Sequence, residues 1–312
     1  MGLLSRSTVR KGVFILLLGV AGLYGFIVAG VWAIQDRLLF GRRSAAIVQT
    51  PDALKWAYED VWCETPGGRT HGWWIPQENA RGAVLYSHGS GKNISHYLDD
   101  MAFLRDLGFS ILMYDYGGYG QSTGNPSEAR CYADIRAMWN HLAHVRRIPP
   151  ERIVLMGSSM GGGVTADLAA EVAAGAVILE ATFTAIPDVV SDAHPWIPAR
   201  LIARHRFANI EKAGRIRSPV LIIHSVDDAT VPFAQARMLY ERITAPKTFL
   251  EIHGSHGGGK FTSREQYAAG LGAFLGETIN LDLAVKIGFY VLSSGCRGPC
   301  GRNGQENQSP CG

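Results

Sequence analysis

The chain carries little net charge and few cysteines. Its 30 Lys and Arg stand against 27 Asp and Glu, a formal balance of +3. The basic residues sit in short clusters such as Arg200, Arg204 and Arg206 rather than in a stripe. That leaves no footprint for nucleic acid, and small clusters of this kind are ordinarily a solvated face. The cysteines, Cys63, Cys131, Cys296, Cys300 and Cys311, are odd in number and widely spaced. Neither a disulfide framework nor a CxxC pair follows, so the redox compartment stays open. No HExxH occurs, and the pairs His141/His144 and His253/His256 have no converging third ligand. No metal and no cofactor is therefore expected. Internal repeats are absent as well.

What the chain does have is one long uncharged run, Gly12 to Ile34. As a helix, at ~1.5 Å per residue, that run covers the ~30 Å hydrocarbon core of a bilayer. It exceeds the ~7–15 apolar residues of a cleaved signal peptide, and Val28 to Val31 offers no clear cleavage site. The expectation is an uncleaved, single-pass signal anchor within residues 1–43, spanning the membrane at about 12–34. Arg6, Arg10 and Lys11 before the run are balanced by Arg37, Arg42 and Arg43 after it. The positive-inside rule therefore leaves the side of the catalytic domain undecided.

Beyond a linker at about 44–58, short apolar runs alternate with longer amphipathic ones. Strands are expected at Asp60 to Glu64, Thr70 to Ile75, Ala83 to His88, Ser110 to Asp115, Ile153 to Gly157, Val177 to Ala181, Pro219 to His224 and Lys247 to Ile252. From Ala83 onward they are near-continuous Val/Ile/Leu runs, as a parallel sheet covered on both faces requires. Helices are expected at His96 to Leu107, Glu128 to His144, Ser159 to Ala173, Pro232 to Ile243 and Ser263 to Leu275. This alternation argues a doubly wound α/β sheet over residues 44–280, with the two leading, more polar strands as an antiparallel edge. The Gly-, Asn- and Gln-rich extension 281–312 is expected to be disordered at its end.

Gly157-Ser158-Ser159-Met160-Gly161 is a G-x-S-x-G pattern between an apolar strand and a helix. A strained strand-to-helix elbow needs almost no side chain two residues to either side of the nucleophile. Only Ser159 has glycine at both places; Ser158 would have Met156 and Met160. A serine hydroxyl needs a base to take its proton. Two carboxylates, Asp227 and Asp228, follow one later strand, and two histidines, His253 and His256, follow the next. His256, in a Gly-flanked loop, is better able to swing to the elbow than His253 at the strand end. Glu180 is a fallback acid. An oxyanion hole calls for the N–H after the nucleophile, that of Met160, and one from an earlier loop. His88-Gly89-Ser90-Gly91 supplies that loop, with Ser90 as the donor and Gly91 as its alternative; His88 is expected to brace it.

With these residues in hand the chain resembles the α/β-hydrolase-domain proteins, in the branch that includes membrane-associated protein depalmitoylases and their uncharacterised bacterial relatives. The likeness covers about Leu38 to Leu275. Tyr114-Asp115-Tyr116-Gly117-Gly118-Tyr119-Gly120 is similar to that branch's segment after the fourth strand, with Gly117 where the branch has arginine. Glu180-Ala181-Thr182-Phe183-Thr184 is similar to its E-N-T-F-T, with Ala181 for asparagine. The resemblance implies an α/β-hydrolase fold, a mostly parallel eight-stranded sheet with helices on both faces. It implies Asp228, four residues before Pro232, as the acid, and His256, in Gly254-Ser255-His256, as the base.

Substrate is read from what covers the site. Here the cap insertion spans only about 184–218, too short for a deep closed lid. An open site held at a bilayer points to acyl esters or thioesters, with lipids and acylated proteins as partners. The alternatives on this fold are a serine peptidase or amidase, and a non-catalytic scaffold. Nucleotide binding through Gly254 to Lys260 fails, because Phe261 occupies the place of the magnesium-binding Ser/Thr.

Overall fold

The computed structural model describes residues 6–279. The extension 281–312, with Cys296, Cys300 and Cys311, lies outside the described residues.

Helix α1 runs from Arg6 to Phe40. Strands β1 (Glu59–Thr65), β2 (Gly68–Ile75) and β3 (Gly82–Ser87) follow, then α2 (Leu98–Asp106), β4 (Phe109–Tyr114) and α3 (Glu128–Asn140). Next come β5 (Ile153–Ser158), α4 (Met160–Ala169) and β6 (Ala176–Glu180). The cap holds three short helices, α5 (Ile186–Ala193), α6 (Ala199–Ile202) and α7 (Asn209–Lys212). The chain closes with β7 (Val220–Ser225), α8 (Phe233–Arg242), β8 (Lys247–Ile252), α9 (Gly259–Thr262) and α10 (Arg264–Ile279).

All eight strands join one sheet in the order β1-β2-β4-β3-β5-β6-β7-β8. The pairs β1–β2 and β2–β4 are antiparallel and the rest parallel. The fold is thus the α/β-hydrolase arrangement. Successive strand residues point to opposite faces, so each central strand feeds two cores. Leu85, Leu112, Leu155, Leu179 and Ile222 pack with α3, α4 and α8 on one side. Val84, Ile111, Val154, Ile178 and Ile223 pack with α2 and α10 on the other. Continuous apolar strands are what two covered faces demand.

The N-terminal helix is longer than the uncharged run it contains. It continues past Ile34 to Phe40, and Phe40 is fully buried in the core on the α3/α4 face. Its C-terminal half is also tied to the cap. The Tyr24 hydroxyl donates to the Trp196 carbonyl at 2.8 Å. The Gln35 amide donates to the Ile202 carbonyl (3.0 Å) and accepts from the Arg204 N–H (2.7 Å). Asp36 meets His205 at 2.9 Å, and the Arg204 guanidinium lies 3.9 Å from the Trp32 ring centre. The linker after α1 is also stitched down: the Asn93 amide holds the Ser44 and Ala46 carbonyls. The earlier part of α1 presents apolar residues outward, among them Phe14, Ile15, Leu16 and Phe26. By length and composition α1 is able to cross a membrane.

Candidate active site

The elbow is built by steric exclusion. Ser159 has φ 54° and ψ −120°, a conformation L-residues rarely adopt and one costing ~1–3 kcal/mol. It is held there by its N–H donating to the Glu180 carbonyl (2.9 Å) and its own carbonyl accepting from the Thr182 hydroxyl (2.9 Å). The turn is so tight that a Cβ on Gly157 would stand 2.2 Å from the Gly161 carbonyl oxygen, and one on Gly161 would stand 2.0 Å from that of Ser87. Both obstacles are backbone and cannot move aside. Gly161→Ala is therefore expected to cost at least the ~1–3 kcal/mol of overpacking. Calorimetry should show the melting midpoint lowered by ~5 °C or more; an unchanged midpoint would contradict the close approach.

Three side chains from separate strand ends meet at this turn. His256 Nε2 lies 2.9 Å from Ser159 Oγ, and His256 Nδ1 lies 2.6 Å from Asp228 Oδ2. The other Asp228 oxygen accepts the N–H groups of Thr230 (2.8 Å) and Val231 (2.9 Å). Burial alone would raise the Asp228 pKa. The His256 ring and the two N–H donors outweigh it and hold the carboxyl below the usual carboxylate range. The His256 side chain keeps 22% of its surface exposed, so the pair is reachable from solvent while Asp228 is sealed.

The second His/Asp pair is separate. His253 Nδ1 meets Asp227 Oδ2 at 3.1 Å, and that oxygen also accepts the Gly254 N–H at 3.0 Å. Both side chains are exposed, at 68% and 57%. The pair ties β8's exit to β7's exit. Glu180, the fallback acid, is committed elsewhere: its carboxylate takes Lys260 Nζ at 2.7 Å and the Tyr267 hydroxyl at 2.8 Å. The same ammonium reaches Asp100 at 2.7 Å. Burial would lower the Lys260 pKa, but these two carboxylates overcome it and keep the ammonium charged. That buried ion cluster removes both the fallback acid and the phosphate-binding reading of Lys260. Among the described residues no cluster of metal-ligating side chains occurs. His141 instead accepts a hydrogen bond from Arg146.

The loop His88 to Gly91 crosses Ser159 closely: a Cβ on Gly89 would be 3.6 Å from Ser159 Cβ. Its carbonyls are drawn away one after another. Tyr116 donates to the His88 carbonyl (2.7 Å), Tyr119 to that of Ser90 (2.9 Å) and Tyr97 to that of Gly91 (2.9 Å). The Gly89 carbonyl is taken by His88 Nδ1 at 2.7 Å, which makes that nitrogen the protonated one. Across a trans peptide the N–H points opposite to the C=O. Each fixed carbonyl therefore fixes the following N–H, including that of Ser90. Burial pushes Tyr97 up to about 12, and Tyr116 and Tyr119 up as well, so all three keep the protons they donate. Met160 opens α4, so its N–H has no intrahelical partner. The Tyr116 and Tyr119 roles were not legible in the repeated Tyr-Gly pattern, because nothing local says where their hydroxyls end.

Removing one such hydroxyl loosens the loop without touching Ser159. Tyr119→Phe strands the Ser90 carbonyl and so frees the following N–H, that of Gly91, the alternative donor of the loop, a loss of ~1 kcal/mol. Steady-state kinetics should show kcat down about fivefold to tenfold with KM little changed; a changed KM alone would argue against a loop-positioning role.

Burial lowers the pKa of His224, whose Nε2 sits 2.9 Å from the Val231 carbonyl, as it does for His96 and His141. The unfolded chain then binds protons near pH ~6.5 that the folded chain refuses. Stability should therefore fall as pH drops below ~6.5, giving a sloping melting midpoint between about pH 6.5 and 5. The slope should flatten in His224→Gln.

Comparison with known proteins agrees with the fold. Residues 78–210 match the family described as serine aminopeptidase, S33. An uncharacterised protein of Mycobacterium tuberculosis is 31% identical over 231 residues, 73% of this chain and 82% of that protein. The α/β hydrolase domain-containing protein WAV2 of Arabidopsis thaliana is 31% identical over 260 residues, 74% of this chain and 84% of its own length. An esterase of Pyrococcus furiosus superposes with a TM-score of 0.64 at 19% identity, covering 76% of this chain and 96% of that one. The eight-stranded sheet, the strand-to-helix elbow and these alignments over most of each relative's length establish that the chain belongs to the α/β-hydrolase-domain family.

Proposed function

We propose that this chain is a serine hydrolase that cleaves acyl esters or thioesters at a membrane through an acyl-enzyme. The observation that carries the reading is the unbroken contact chain from Ser159 Oγ through the His256 ring to Asp228, at 2.9 and 2.6 Å. His256 Nε2 takes the hydroxyl proton as Ser159 Oγ bonds to the acyl carbonyl carbon. The oxygen that gains charge meets the N–H groups of Met160 and Ser90. The protonated imidazole hands its proton to the departing alkoxide or thiolate as the C–O or C–S bond breaks. Water, deprotonated by the same nitrogen, then attacks the acyl-serine, returning the proton to Ser159 and releasing the acid. Asp228, ionised and held by two N–H donors, keeps Nδ1 protonated throughout.

The apolar outward surface of α1 supports an anchor, and the short cap and the exposed edge of His256 support an open site. The matched family's description favours amide cleavage as a second reading. An aminopeptidase needs a free carboxylate beside the nucleophile for the substrate's ammonium. Asp228 and Glu180 are already bound to His256 and to Lys260, which favours the ester reading.

The test is turnover by the full chain in nanodiscs. p-Nitrophenyl acyl esters, acyl thioesters and an aminoacyl p-nitroanilide would be compared, beside labelling with a fluorophosphonate probe. Ester and thioester cleavage with probe labelling is expected. Preferential anilide cleavage would select the second reading, and no turnover with no labelling would end the first.

A further inference from the structure

The tie between α1 and the cap leaves a space. A cleft of about 380 Å³ lies between them, walled by Val31, Leu38 and Leu39 of the helix and Val190, Ile197 and Ile202 of the cap. Protein interiors close voids far smaller than this, while ligand sites run from ~300 to 1,000 Å³. Its walls suit an apolar occupant. A buried water needs two to four polar partners, and the polar groups here are mostly taken. Gln35 is bound to the backbone at Ile202 and Arg204, and His205 to Asp36 and the Glu128 N–H.

Two further observations identify the occupant. Ile186, a wall residue, is only four positions after Thr182, whose hydroxyl holds the Ser159 carbonyl. Four residues span at most about 14 Å, so the cleft is within that reach of the elbow region. Next in sequence to the wall residues Ile197 and Ile202, the cap exposes Trp196 (52%) and Leu201 (87%). The Trp196 carbonyl is held by Tyr24, which lies inside the apolar run of α1. The rim of the cleft therefore adjoins the same surface that the anchor would present to lipid.

We infer that this cleft binds the acyl chain of the substrate, so that α1 is a wall of the acyl site as well as an anchor. The inference rests on the acyl-hydrolase reading above. The chain passes from the bilayer, beside Trp196 and Leu201, into a slot between Leu39 and Val190, while its carbonyl reaches Ser159. Attachment and chain-length selection then reside in one helix.

Leu39→Trp and Val190→Trp fill the cleft; Val190→Ala widens it. With full-length protein in nanodiscs, kcat/KM would be measured for a series of p-nitrophenyl esters from acetate through hexadecanoate to eicosanoate. Each tryptophan variant should lower the hexadecanoate-to-acetate ratio at least ~tenfold, and Val190→Ala should shift the preferred length upward. Binding of a pyrene-labelled hexadecanoic acid to Ser159→Ala protein should weaken in the same order. An unchanged ratio and unchanged probe binding in folded tryptophan variants would overturn the inference, pointing to a resident lipid or a packing defect instead. If the tryptophan variants do not fold, an unmoved length preference in Val190→Ala overturns it. If wild type cleaves no ester yet Ser159→Ala protein binds the probe in that order, the hydrolase reading fails and the cleft stands.

Discussion

Ser159→Ala is expected to reduce kcat on any acyl ester by ~10⁴-fold or more and to abolish fluorophosphonate labelling. Alanine keeps the Cβ, so the φ of 54° is no more strained than before. The N–H to Glu180 and the carbonyl to Thr182 involve backbone only and persist. The melting midpoint should therefore stay within ~2 °C. That combination, full loss of rate without loss of fold, separates a nucleophile from a structural serine. A variant that retains a tenth of the wild-type rate would remove Ser159 from the chemistry.

The second large effect discriminates between adjacent residues. His256→Ala should lose ~10⁴-fold or more, because among the described residues no other imidazole lies at the Ser159 hydroxyl. His253→Ala should keep activity within a few-fold and cost little stability, since an exposed pair such as His253–Asp227 is worth ~0–1 kcal/mol. Asp228→Asn should fall by up to ~10⁴-fold with the geometry kept. An amide in that place donates to Nδ1 and so protonates Nε2, the nitrogen that must accept the serine proton. Asp227→Asn should again be close to wild type. If the two histidines or the two aspartates gave equal losses, the assignment would fail. Asp228 is held below the ordinary carboxylate range, so its contribution to stability is complete above pH ~3.9 and is lost only as pH falls through its lowered folded value. An acid limb of activity above pH ~5 would therefore belong to another group.

Some of this was legible without coordinates, for a physical reason. The two-sided burial of β3 to β7 shows as unbroken apolar runs, and the elbow shows as glycine on either side of one serine. Both are local demands, of sheet burial and of a turn with no room for a Cβ. The short cap and the apolar run of α1 were also plain from length and composition.

The destinations of side chains were not. Lys260 sits in a sequence that imitates a phosphate loop, yet its ammonium is buried between Glu180 and Asp100. Glu180 reads from the sequence as a free acid, yet its carboxylate is bound to Lys260 and Tyr267. The end of α1 reads as a flank, but Phe40 enters the core against the His205 ring and Gln35 grips the cap at Ile202, both partners more than 160 positions away. From the sequence by itself came the sheet, the elbow serine and the pool of acids and bases, because each rests on neighbours within a few residues. The sequence also favours His256 by reach, and the resemblance implies Asp228; the distances that join both to Ser159, and the grip of α1 on the cap, come only from the tertiary structure. Those outcomes depend on how separate strand ends and one distant helix converge, and pattern along a chain does not encode that.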